Sequence, residues 1–214
     1  MERCILFLWL AISCLFVQSC CANPQNFQPH VARHNFTLIN QEAATGQADN
    51  QNRHTASPGK IVDPWPATPP QIGRLVLKQE YWHYMKEAAR KYRISPYLIQ
   101  AVCAIESRYN PQATSGRGQC LGLMQLHRLT AKKYGVNPHD PRENIMGGAA
   151  VLARLLDKYN GNLLQVLRVY NAASTSAYER EVIKAYQQAL RHGQENLTAQ
   201  ARIAKSGAAG PGGR

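Results

Sequence analysis

A chain of 214 residues has room for one ordinary domain plus extensions. Lys and Arg outnumber Asp and Glu by 25 to 13, and the resulting net charge of +12 at pH 7 favours acidic partners. No basic helix or nucleic-acid motif accompanies that charge, and no His and Cys spacing suits zinc, so neither nucleic-acid binding nor a metal centre is expected.

The chain begins with an export pattern. Arg3 supplies a thin positive charge, Ile5 to Val17 form a short apolar run, and Ser19-Cys20-Cys21-Ala22 are small residues suited to cleavage. Residues 1–22 are read as a signal peptide, too short to span a membrane as a structural helix. Cleavage after Ala22 is one outcome; lipidation of Cys20, which would anchor the protein to a membrane, is the other. Residues 23–71 are rich in Asn, Gln, Pro and Thr without periodicity, and are read as a flexible linker.

The folded domain is placed at 72–192. Leu77, Tyr81, Trp82, Met85, Ala88, Ala89 and Tyr92 form an amphipathic stripe that predicts a helix over 74–92. Ser95 as N-cap and Pro96 at the first helical position open a second helix. Asp140-Pro141-Arg142-Glu143 is a capping box that opens another, and Asn162 caps a short one over 163–170. Tyr178, Val182, Ile183, Tyr186, Ala189 and Leu190 give a last stripe. No segment alternates like a strand, so the fold class is all-α, with about six helices. Residues 193–214 end in Gly and Ala and are read as a disordered tail.

One carboxylate stands out. Leu98, Ile99, Val102, Ile105 and Glu106 share a helix face, and Asn110-Pro111 resists further helix just beyond. Glu106 thus lies in the last turn, at the edge of an apolar stripe. Partial burial disfavours the charged form of a carboxyl and raises its pKa, as a general acid near neutral pH requires. The plainer alternative is an exposed border glutamate paired with Arg108. Cys103 and Cys120 are the two cysteines left in the domain, and in an exported protein they are expected to pair, tying the Glu106 helix to the following loop. Two buried free thiols are the alternative.

The run Glu106-Ser107-x-Tyr109-Asn110-Pro111-x-Ala113-x-Ser115, followed by Gly122-Leu123-Met124-Gln125-Leu126 and by Tyr170-Asn171-Ala172, resembles the lytic transglycosylases of the Slt/goose-lysozyme type, in particular the small ones attached to secretion and conjugation machines. The resemblance covers roughly residues 80 to 190. It implies a lysozyme-like helical fold, no cofactor, and peptidoglycan as substrate. It also implies a periplasmic location and cleavage of the MurNAc-GlcNAc bond to 1,6-anhydromuramoyl products. Glu106 is then the acid and base, with the substrate's own N-acetyl group replacing a second carboxylate. The same resemblance places Ser107, Ser115, Met124, Gln125, Tyr170 and Asn171 on the substrate.

The chain departs from the family pattern in places. Gln119-Cys120 stand where Gly-Ala is usual, His127-Arg128 replace Met-Pro, and Tyr170-Asn171-Ala172 continues into Ala173-Ser174 rather than Gly-Pro. The later tyrosine element is degraded to Glu179-Arg180-Glu181-Val182-Ile183, which leaves a second cleft tyrosine unassigned. A hydrolytic goose-type lysozyme and a non-catalytic wall-binding adaptor are the competing classes.

Overall fold

The computed structural model describes residues 63–115, 117–171 and 176–208. The export pattern, Cys20, the linker up to residue 62, Ala172 to Ser174 and residues 209–214 lie outside these. Among the described residues there are six helices and one small sheet, so the all-α expectation holds.

Helix α1 (Gln79–Tyr92) buries Tyr81, Trp82, Met85, Ala88 and Ala89 along one stripe and stops at Arg93, whose left-handed backbone lets its N–H reach the Ala89 carbonyl. Helix α2 (Pro96–Ser107) is the centre of the molecule. Every residue in it except Ile105 and Glu106 is buried, so the acid sits at the one edge this helix shows to solvent. Pro96 takes the first helical position as expected, but the Ser95 side chain makes no capping bond, and its hydroxyl meets the Tyr186 phenol. The helix ends at Ser107 with Arg108 in the left-handed region, two residues before Asn110-Pro111.

Three two-residue strands follow, β1 (Thr114–Ser115), β2 (Cys120–Leu121) and β3 (Leu126–His127), in one antiparallel sheet that pairs Ser115 with Cys120 and Cys120 with His127. Helix α3 (Arg128–Tyr134) leads to α4 (Pro141–Lys158), α5 (Leu163–Tyr170) and α6 (Ser176–Ala208). Asp140 caps α4 by accepting from Glu143 N, and Asn162 caps α5 by accepting from Gln165 N. Packing pairs α2 with α6 and α1 with α4, and α5 closes the angle between α4 and α6.

Three boundaries differ from the sequence reading. The first helix begins at Gln79 rather than 74. Residues 72–75 instead make a tight turn, with Gly73 at φ 54° and the Gln71 amide donating to the Gly73 and Leu75 carbonyls. The segment read as linker up to 71 is docked from Asp63 onward. Trp82 Nε1 donates to Pro66 O at 2.9 Å, Gln100 Nε2 to Pro70 O at 2.6 Å, and Lys86 Nζ lies 2.7 Å from Asp63 Oδ2. The tail expected to lack structure from 193 is helical to Ala208, because α6 runs on as one helix.

Candidate active site

Glu106 lies where three elements converge. Its helix delivers it to the last turn of α2, and α6 lies along α2, bringing Tyr178 against it. The Tyr178 hydroxyl donates to Glu106 Oε1 at 2.6 Å. Burial raises the Glu106 pKa above its ordinary 4.5, and the tyrosine hydrogen bond offsets part of that rise. Burial, and then the negative charge of Glu106, push the Tyr178 phenol well up in turn, so it stays a donor.

Next to the acid in sequence, Ser107 joins α2 to the turn Gly122-Leu123-Met124-Gln125. Gly122 has φ 74°, and a Cβ there would fall 2.4 Å from Asn144 Nδ2 and 2.6 Å from Pro138 O, so only glycine fits. Three helices pin the backbone of this turn. Ser107 Oγ donates to Leu123 O at 2.8 Å, Tyr170 Oη donates to Met124 O at 3.0 Å, and Asn144 Oδ1 accepts from Met124 N at 2.8 Å. Asn144 also donates to Leu121 O and Pro138 O, which satisfies the whole of a fully buried amide.

These contacts decide where the expected site residues stand. Glu106, Ser107, Met124 and Tyr170 are brought together, with different tasks. The hydroxyls of Ser107 and Tyr170 hold the turn. Met124 is fully buried in the core beneath it, against Gly148, and does not line an open groove. Ser115 and Gln125 meet on the sheet, where Ser115 Oγ donates to Gln125 Oε1 at 2.5 Å and the Gln125 amide donates to Ala113 O and Gly122 O. Asn171 caps α5 through its N–H to Leu167 O and is half-buried.

The expected bridge between Cys103 and Cys120 is not formed: both are free cysteines. Cys103 is fully buried, and burial followed by the charge of Glu106 pushes both thiols up. Cys103 is sunk in the core face of α2 while Cys120 lies half-buried on the sheet, so the two thiols stand in different surroundings. His127 is engaged as the N-cap of α3, its Nδ1 accepting from Leu129 N.

Tyr178 and Asn144 were missed by the sequence reading. For Asn144 a signal existed, since Gly147-Gly148 mid-helix marks a face approached closely by other chain. Among the described residues, neither Glu106 nor Tyr178 has a second carboxylate bonded to it. Asp140 and Glu143 are taken by Glu143 N and Asn137 N, and Glu179 pairs with Arg168 at 3.1 Å. The cluster is thus a single shielded acid with a phenol donor, suited to deliver and retrieve one proton.

A family model described as the Transglycosylase SLT domain matches residues 83–193. The chain belongs to this family. The helical, lysozyme-like class expected from the sequence is the class this domain has, and Glu106, the pinned turn and Tyr178 all lie inside the matched span. The SLT domain here is 40% identical over 108 residues to a transglycosylase of Enterobacteria phage PRD1, covering 50% of this chain and 40% of that protein. It is 37% identical over 93 residues to the membrane-bound lytic murein transglycosylase F 1 of Alkalilimnicola ehrlichii, covering 43% and 19%. Among solved structures it is similar to an inactive mutant of lytic transglycosylase Slt from Pseudomonas aeruginosa, at 25% identity and a TM-score of 0.41 over 53% of this chain and 24% of that one. The chain spans less than half the length of these relatives.

Proposed function

We propose that the protein is a peptidoglycan lytic transglycosylase that cleaves the MurNAc-GlcNAc bond and leaves 1,6-anhydromuramoyl ends. The observation that carries this reading is the half-buried Glu106 held by Tyr178. Glycosidic cleavage by two carboxylates needs a base or nucleophile opposite the acid. Among the described residues no second carboxylate is bonded to Glu106 or Tyr178, which supports a reaction in which the substrate supplies the attacking group. Glu106 gives its proton to the leaving oxygen while the substrate's acetamido oxygen attacks the sugar carbon. The muramoyl 6-hydroxyl then gives its proton to the carboxylate and its oxygen attacks the same carbon, breaking the bond to the acetamido oxygen and closing the anhydro ring, and no water is consumed. Substrate contacts by Ser115, Gln125 and Asn171 at the rim belong to the same proposal. So does a role for Ser107, Met124 and Tyr170 in shaping the turn beneath the sugar.

Location and partners are proposed on narrower grounds. The export pattern at residues 1–22 and the membrane-bound relatives support action in the cell envelope, in the periplasm, with a lipid anchor if Cys20 is acylated. Service to a secretion or conjugation machine rests on the sequence resemblance.

Mass spectrometry of digested sacculi tests the reaction. Wild type is expected to release anhydromuramoyl fragments, and Glu106→Gln to lose at least about a hundredfold in rate, the usual scale of general-acid catalysis. Products one water heavier, with free reducing ends, would select a hydrolytic lysozyme. No soluble fragments from either protein, with glycan binding intact, would select an adaptor.

A further inference from the structure

From Ser107 to His139 the chain carries no Asp or Glu, yet it holds Arg108, Arg117, Arg128, Lys132 and Lys133. This stretch is the three-stranded flap with its turns and α3, joined to the end of α2 by the Ser107 bond to Leu123 O. Elsewhere in the fold, cations meet carboxylates: Lys86 and Arg90 at Asp63, Arg142 at Glu87, Arg168 at Glu179. Among the described residues, no carboxylate pairs with any cation of the flap.

The cations are also placed. Arg108 caps α2 two residues after the acid and is exposed. Arg117 stands exposed in the β1–β2 turn with φ 57°. Arg128 is exposed at the start of α3, and its Nε donates to Gly118 O at 2.7 Å, which draws its guanidinium to the turn that carries Arg117. Arg117 and Arg128 thus bring two cations to one turn, and among the described residues neither is paired with a carboxylate. Guanidinium is also the cation whose planar donors match a carboxylate. The end of α2 bonds the other turn of this sheet through Ser107 and Leu123 O, and only the two-residue strand β2, roughly 7 Å long, separates that turn from the one carrying Arg117, a span that a peptide arm on a bound sugar can cover.

We propose that the flap is an anion subsite that takes carboxylates borne on the lactyl or peptide arms of the muramoyl residues, giving a preference for carboxylate-bearing strands. The inference rests on a glycan being the substrate.

Its test compares Arg117→Gln/Arg128→Gln with wild type on peptide-bearing glycan strands, native or with their carboxyls converted to neutral amides. The double variant is expected to raise KM about fivefold on native strands with kcat unchanged, two exposed ion pairs being lost. Amidation should raise the wild-type KM by a similar factor and leave the variant unmoved. Arg117→Lys/Arg128→Lys should recover only part of the loss, since it keeps the charges but not the planar donor pairs. Arg191→Gln/Arg202→Gln serves as a control, removing two exposed charges that lie about 20 and 36 Å along α6 from Tyr178. A double variant with wild-type KM, or a control that weakens binding equally, overturns the subsite. Co-sedimentation with sacculi in a Glu106→Gln background reads the same charge dependence without turnover. If wild type releases no fragments yet sedimentation follows the flap charges, the lytic assignment fails and the subsite stands.

Discussion

At the scale of single residues, Tyr178 sets how Glu106 holds its proton. Burial drives the carboxyl up and the 2.6 Å hydrogen bond from the phenol pulls it part of the way back. Removing the phenol leaves only the rise. A general acid works while protonated, so kcat/KM falls as pH climbs through its pKa. In Tyr178→Phe that falling limb is therefore expected at higher pH than in wild type, with kcat lower by about tenfold for loss of one hydrogen bond to a charged group. A pH–rate profile checks both, and an unmoved limb with unchanged kcat would remove Tyr178 from the proton path. Glu106 was legible because local chemistry marks it: an apolar stripe, a carboxylate at its edge, a helix stop just after. Tyr178 was not, because Tyr178-Val182-Ile183-Tyr186 is the spacing of any packed helix. Nothing local says that this tyrosine meets a residue 72 positions earlier. The motif likewise located Ser107 and Tyr170, but a position in a motif does not state whether a hydroxyl faces substrate or backbone.

At the scale of elements, the informative surprise is the proline-rich strap from Asp63 to Pro70. Its composition reads as a tether, since prolines resist helix and strand alike. Yet a proline brings no N–H to satisfy, so burying Pro66 and Pro70 leaves only carbonyls to pair, and Trp82 and Gln100 supply the donors. The flap was equally hidden, because two-residue strands are too short to show alternation. What fastens the strap is ionic. Asp63 accepts from Lys86, which is 6% exposed, and from Arg90, which also lies over the Trp65 ring. Burial alone would raise Asp63; Lys86, Trp65 N–H and Arg90 outweigh it and hold it below 3.8. The clamp therefore contributes above pH 3.8 and fades as pH falls through the lowered value. Asp63→Ala is expected to cost about 1–3 kcal/mol by leaving the Lys86 ammonium buried without its nearest partner. Asp63→Ala/Lys86→Met should recover most of that, because an apolar replacement removes the stranded charge. Urea titrations at pH 7 measure both, and a single variant as stable as wild type would show that the strap is not held by this pair.

At the scale of the whole molecule, the two ends of the described chain meet through one aromatic stack. Trp82 and Tyr97 lie with ring centroids 5.8 Å apart, and the Trp82 indole holds the strap at Pro66. From the other side, α6 passes Tyr97 at Gly193, where an added Cβ would come 2.6 Å from the phenol oxygen. Burial, then the charges of Asp63 and Tyr186, push the Tyr97 phenol up to about 12, which keeps this contact neutral across the working range. Among the described side chains of α6 the last buried one is Gly193, and from 194 to 204 they are half-buried or exposed. The two halves of α6 should thus respond oppositely to change. Ending the chain after Leu197 removes a stretch whose described side chains, 198 to 204, are all exposed, and is expected to shift stability by less than about 0.5 kcal/mol. Gly193→Val adds bulk where backbone and ring already touch, and is expected to cost about 1–3 kcal/mol. The displaced ring would press on Trp82 and loosen the strap, so the Trp82 indole N–H should exchange faster with solvent in Gly193→Val and not in the shortened chain. Equal exchange in both would show that the aromatic stack does not couple the far helix to the strap.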